Sequence, residues 1–118
     1  MQTLIQPSAQ PTPATSPGIL RWEGHMSDGV GTTYGGEPLA FLEAGPKEIH
    51  LSGTRGTFRV PRTAIQKIVR GGFYPWFFGG IRIRHNVPGF PEFLLFKSMT
   101  ASSREILGQL QGLGYPTG

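Results

Sequence analysis

The side chains able to do chemistry are few, and their spacing is informative. His25, His50 and His85 are the only ready general bases or soft metal ligands. No two of them fall in an H-x-x-x-H or H-E-x-x-H spacing, so no zinc-type ligand pair on one helix face is encoded. Three histidines spread over separate elements read as structural or surface residues; a dispersed zinc site is the alternative. There is no cysteine, which removes disulfides, thiol nucleophiles and thiolate metal centres. Serines and threonines are plentiful, yet none stands in a motif that supplies a base and an orienting third group. The glycine pairs Gly35-Gly36, Gly71-Gly72 and Gly79-Gly80 lack the G-x-x-x-x-G-K-[ST] pattern of a phosphate loop. The residue types thus point away from an enzyme and imply no cofactor and no metal.

Two other groups fit binding. Arg82 and Arg84 lie two apart in Gly80-Ile-Arg-Ile-Arg-His85, which places both on one face of a strand, about 7 Å apart. Arg59, Arg62, Lys67 and Arg70 on preceding elements extend that face, and guanidinium groups so spaced suit phosphate or carboxylate. The plainer reading is a solvated outer sheet face on which cations discourage edge-to-edge aggregation. The second group is Phe73-Tyr-Pro-Trp-Phe-Phe78. Exposed, its Tyr74, Trp76, Phe77 and Phe78 would form an apolar patch for a partner or a membrane. Folded back, the segment would cover the mouth of the domain, each aromatic removing about 150–250 Å² from water.

Charge is divided along the chain. Residues 18–53 carry a net −3 and residues 54–104 a net +8, within a total of +4 over 118 residues. This asymmetry marks either a surface for an anionic partner or acidic early strands pairing with basic later ones across a sheet.

The elements that position these residues are mostly strands. Eighteen glycines and 11 prolines argue against a helical bundle. No apolar run approaches the roughly 18 residues of a membrane helix. Residues 1–18, with Pro7, Pro11, Pro13 and Pro17, are too polar to bury a core and read as a disordered, extended segment. Without a basic or apolar leader, the expected location is cytoplasmic.

From Ile19 onward seven strands are predicted: 19–26, 39–44, 48–52, 57–60, 65–70, 80–86 and 93–96. In 65–70, Ile65, Ile68 and Val69 also fit a helical face, but Gly71-Gly72 closes the segment too early for a helix. Phe93-Leu-Leu-Phe96 is an unbroken apolar run, as in a strand covered on both sides. Ser102 with Glu105 forms a capping box. Ile106, Leu107, Leu110 and Leu113 then make one apolar stripe, and Gly114 and Pro116 end the helix at about 113. The fold class is therefore mainly β: a seven-stranded, strongly bent antiparallel sheet or partly open barrel capped by one C-terminal helix, in a single domain over 19–118.

Glu48-Ile-His-Leu-Ser52, Thr57-Phe-Arg-Val-Pro61, Ile65-Gln-Lys-Ile-Val69, Gly80-Ile-Arg-Ile-Arg84, Phe93-Leu-Leu-Phe96 and the helix from Ser102 to Leu113 follow one another in an order that resembles the pleckstrin-homology-like superfold. The resemblance includes its GRAM-type and small bacterial variants and covers roughly residues 38–115. It implies the bent sheet with a capping helix and, because that fold hosts many functions, no particular activity. The Lys/Arg-rich first hairpin of phosphoinositide-binding members is missing; Asp28, Gly29 and Glu37 stand there, with no Lys or Arg between Arg21 and Lys47.

The expected function is a non-catalytic binding or scaffold domain. It would hold a protein partner, or a second copy as a homo-oligomer, through the aromatic loop and the Arg-rich strand face. Peripheral binding to anionic membrane lipid is the alternative, and single-stranded nucleic acid the next, since the aromatics are contiguous rather than interleaved with basic residues.

Overall fold

A computed structural model describes residues 19–33, 35–71 and 79–118, together with the backbone of 73–74 and 77–78. The Pro-rich segment 1–18 and Trp76 lie outside the described residues, as do the side chains of Tyr74, Phe77 and Phe78.

Seven strands form one antiparallel sheet: β1 (Leu20–Ser27), β2 (Ala40–Ala44), β3 (Glu48–Gly53), β4 (Gly56–Pro61), β5 (Ile65–Arg70), β8 (Ile81–His85) and β9 (Leu94–Ser98). A two-stranded ribbon, β6 (Phe73–Tyr74) and β7 (Phe77–Phe78), lies between β5 and β8 in the chain. The sheet order is β4-β3-β2-β1-β9-β8-β5. Its two edge strands, β4 and β5, are consecutive in sequence and joined only by the 3-10 turn Arg62–Ala64. So short a link forces the edges toward each other, and the sheet curls into a half-barrel.

Alternation within the strands decides which residues line the concave side. Trp22 and Met26, Leu42, Ile49 and Leu51, Val60, Ile81 and Ile83, and Leu94 and Phe96 are buried there in one cluster. In β5 the register shifts between Ile65 and Lys67, a β-bulge at Gln66. The extra residue turns both Ile65 and Ile68 inward although they are three apart. This is the physical source of the helix-like spacing in that strand.

The helix α1 (Ser103–Gly112) fills the open side against β5 and β8. Its capping box is complete: Ser102 Oγ accepts from the Glu105 N–H, and Glu105 Oε1 accepts from the Ser102 N–H. A cap of this kind contributes about 1 kcal/mol. Ile106 and Leu110 enter the common core fully buried. Gly114 takes the left-handed conformation at φ 94° and turns the chain back. The tail then pairs with the β5 edge, the Ile68 N–H donating to the Pro116 carbonyl and the Gly118 N–H to the Ile68 carbonyl. Among the described residues no helix is long and apolar enough to cross a membrane.

Candidate functional site

The convex side of the sheet carries the charged residues, and its two halves differ. Across β1 to β4, register aligns Arg21, Glu43, His50 and Arg59 in one row. Arg21 contacts Glu23 at 3.1 Å and Glu43 at 3.4 Å, and lies 4.7 Å above the Phe41 ring. His50 Nδ1 faces Glu43 at 3.6 Å, and Arg59 binds Glu48 at 2.8 Å. At the loop end of this half, Asp28 Oδ1 accepts from the N–H groups of Val30 and Gly31, and Arg55 lies 3.1 Å from Oδ2. Partial burial of Asp28 favours its neutral acid. The backbone donors of Gly31 and Val30 and the Arg55 cation outweigh that, and hold its pKa below the ordinary carboxylate value.

The half formed by β9, β8 and β5 is different. Lys67 on β5 stands opposite Arg84 on β8; Val69 stands opposite Arg82, and Arg82 opposite Leu95. Two residues past Leu95 on the same face is Lys97, opposite His25 of β1. Strand spacings of about 4.8 Å and rises of about 3.3 Å per residue set these four cations on a diagonal track roughly 15–20 Å long. Lys67, Arg84 and Lys97 make no ion pair with any described residue. Arg82 stacks 4.3 Å from the centre of the Phe93 ring and is only 3.7 Å from Glu92, a loose contact to a largely exposed carboxylate. Its Nε is buried with no hydrogen-bond partner among the described residues.

Beneath this track lies apolar material. Leu95 points to the convex side yet is fully buried, so β9 is covered on both faces, as its unbroken apolar run predicts.

The predicted Arg face is therefore only partly assembled. Arg82, Arg84 and Lys67 share it. Arg59 lies in the other half, in its ion pair with Glu48. Arg70 stands opposite Ile81, an inward position, so it sits exposed at the concave rim instead of beside Arg82. Arg62 is used structurally: Nη1 donates to the carbonyls of Pro46 and Leu113 at 3.0 Å each, and Nη2 to that of Gly114 at 2.6 Å. Its guanidinium also stacks 5.2 Å from the Tyr115 ring, whose hydroxyl donates to the Gly45 carbonyl. Burial pushes the Tyr115 phenol up, against the opposing pull of Arg62. Arg62 thus ties the end of α1 to the β2–β3 turn. Lys97 is the residue that spacing overlooked; its parity with Leu95 and its place two past that residue were the available signal.

The aromatic segment, expected as a loop, is built on a hairpin that continues β5 and β8. Phe73 pairs with Phe78 and Tyr74 with Phe77, and the Gly71 N–H donates to the Gly80 carbonyl at the base. Glycine is required in this neck. A Cβ at Gly71 would collide with the Gly79 carbonyl oxygen, and one at Gly80 with that of Phe96. Gly79 and Gly80 also adopt φ of 74° and 71°, which side-chain-bearing residues rarely do.

The histidines do not converge. His25 Nδ1 lies 3.3 Å from Thr33 Oγ1, His50 sits in the charged row with a buried Nε2, and His85 binds loop backbone. Among the described residues no three His, Asp or Glu side chains are placed to hold a metal ion. No protein-family model, curated protein or solved structure matches this chain.

Proposed function

We propose that this chain is a non-catalytic binding domain of pleckstrin-homology-like plan that holds an acidic protein partner on the convex face of β5, β8 and β9. The strand order with its terminal capping helix supports the plan. One observation carries the binding reading: among the described residues Lys67, Arg84 and Lys97 have no ion pair, whereas Glu23, Asp28, Glu43 and Glu48 are each already paired. Unpaired cations on a rigid wall, with Arg82 held flat by Phe93, match carboxylates presented by another molecule. The aromatic ribbon bordering this face adds the residue types that anchor protein interfaces.

A second copy is a poor occupant, because four of the five carboxylates of its own acidic half arrive already paired, all but Glu37. A bilayer is also less well matched. Lys67 precedes Phe73 by six residues, about 20 Å of extended chain. End-on insertion of the ribbon would thus leave Lys67 and Arg84 beyond the headgroup layer, which is about 5–8 Å thick. A polypeptide laid along the face meets all four cations at once.

The test uses poly-L-glutamate as the acidic polypeptide, with vesicles of phosphatidylserine and phosphatidylcholine, and oligo-dT, as competing probes. Salt-sensitive binding to poly-L-glutamate is expected, weakened about tenfold or more in the double variant Lys67→Glu/Arg84→Glu while the melting temperature stays within a few degrees. Equal binding by wild type and variant overturns the proposal. So does binding confined to vesicles or to oligo-dT, which would assign the face to lipid or to nucleic acid.

A further inference from the structure

The track of cations is bordered at its upper end by the loop 86–93, and one imidazole holds that loop. His85 Nδ1 accepts from the Val87 N–H at 3.0 Å, and its Nε2 lies 2.8 Å from the Pro91 carbonyl oxygen. A carbonyl can only accept, so Nε2 carries the proton and Nδ1 is the bare nitrogen: the ring is neutral, in a single tautomer fixed by two backbone groups. The Phe90 ring packs edge-on against it at 6.0 Å and in turn meets Phe58 of β4 at 5.3 Å. The same loop ends in Glu92 and Phe93, the two residues that hold Arg82.

We infer that His85 is a pH-operated latch on this loop, and so a regulator of the anion-binding face. The inference rests on the binding role proposed for that face. Protonating Nδ1 sets an N–H against the Val87 N–H, so the first tether of the loop is lost while the Pro91 tether remains. The Val87 end loosens and its packing against the core is relieved, so the loop pivots on its Pro91 tether, and Glu92 and Phe93, beside that pivot, shift against Arg82. The guanidinium becomes available to a ligand, while the imidazolium's own charge lies on the other face of β8. Acidification that protonates His85 therefore strengthens binding of an acidic partner.

The groups facing the ring do not interfere with this reading. Its partners are the Val87 N–H, the Pro91 carbonyl and the Phe90 ring, with Ile65 opposite it on β5. The charged neighbours along the chain are Arg84, on the other face of β8, and Glu92, which faces Arg82.

The deciding experiment needs no ligand, so its failure would leave the binding role standing. Nitrogen-15 NMR of the full chain at pH 8 should show His85 as the Nε2–H tautomer. Between pH 8 and pH 5.5 the protection factor of the Val87 amide should fall about tenfold or more, the equivalent of one hydrogen bond. The Arg82 Nε–H signal should broaden or shift over the same range, while amides of α1 keep their protection. In His85→Phe, which cannot accept a hydrogen bond, Val87 should be unprotected at both pH values. Unchanged protection of Val87 and an unmoved Arg82 signal in the wild type would overturn the latch, as would equal loss of protection in α1, which would mean general unfolding.

Discussion

The outer surface of the half-barrel treats charge in two ways. Over β1 to β4 each carboxylate of the convex row meets a cation within 4 Å, and Arg21 and Arg59 are spent inside the domain. Over β9, β8 and β5 the cations outnumber the carboxylates, and among the described residues Lys67, Arg84 and Lys97 face outward without an ion pair, with the buried Leu95 in the same face. Exposed pairs of the first kind each contribute at most about 1 kcal/mol and leave little field outside the protein. Cations of the second kind repel one another slightly and keep their field available to a partner. The difference teaches that net charge alone, or the number of arginines in a segment, does not locate a binding face. Lys47, Arg70 and Arg104 also lack an ion pair among the described residues but stand singly; what marks the proposed face is that its unpaired cations adjoin one another in register.

The comparison is sharpened most by changing the apolar base of the unpaired half. Leu95→Ala should destabilise the domain by about 2–5 kcal/mol, as expected for a fully buried leucine, although the residue points away from the main core. Chemical denaturation measures this, and a cost under about 0.5 kcal/mol would mean that the convex side of β9 is not a packed layer.

A middle-sized effect separates arginines that brace from arginines that bind. Arg62→Ala removes three donor contacts to carbonyls and the stacking on Tyr115, and should cost about 2–3 kcal/mol in a denaturation curve. Affinity for poly-L-glutamate should stay unchanged; a matching loss of affinity would return Arg62 to the binding face.

The smallest effect belongs to the paired half and is read against pH. Asp28 has a folded-state pKa below its ordinary value, so its ionised form favours the folded state. The stability it supplies is complete above the unfolded carboxyl value, about 3.9, and is lost as the pH falls through the lower folded value. An acid unfolding series should therefore show a shallower slope in that window for Asp28→Asn than for wild type. Identical slopes would remove the Arg55–Asp28 contact from the account of that loop.

Much of the architecture was readable in advance. The apolar alternation places seven strands where the sheet has them, and the Ser102–Glu105 pair with its leucine stripe places the helix. The β5 ambiguity was real, because a bulge imposes on a strand the three-residue spacing that ordinarily marks a helix turn. The aromatic stretch gave no strand signal, since two-residue strands are too short for any alternation to register. The proposed binding face was legible as Lys67, Arg82 and Arg84, without Lys97. Arg59, Arg62 and Arg70 have the same residue type and similar neighbours in sequence, and nothing local separates a brace or a rim residue from a member of the track.

The order of amino acids by itself determined which residues turn inward, where the chain bends and where the helix starts and stops, because these follow from side-chain periodicity, glycine and proline geometry and a local cap. Which cations remain unsatisfied was decided by the tertiary structure alone. Pairing depends on which strands become neighbours and in what register. The strand order brings β9 between β1 and β8, joining residues about seventy positions apart, and no short-range pattern carries that information.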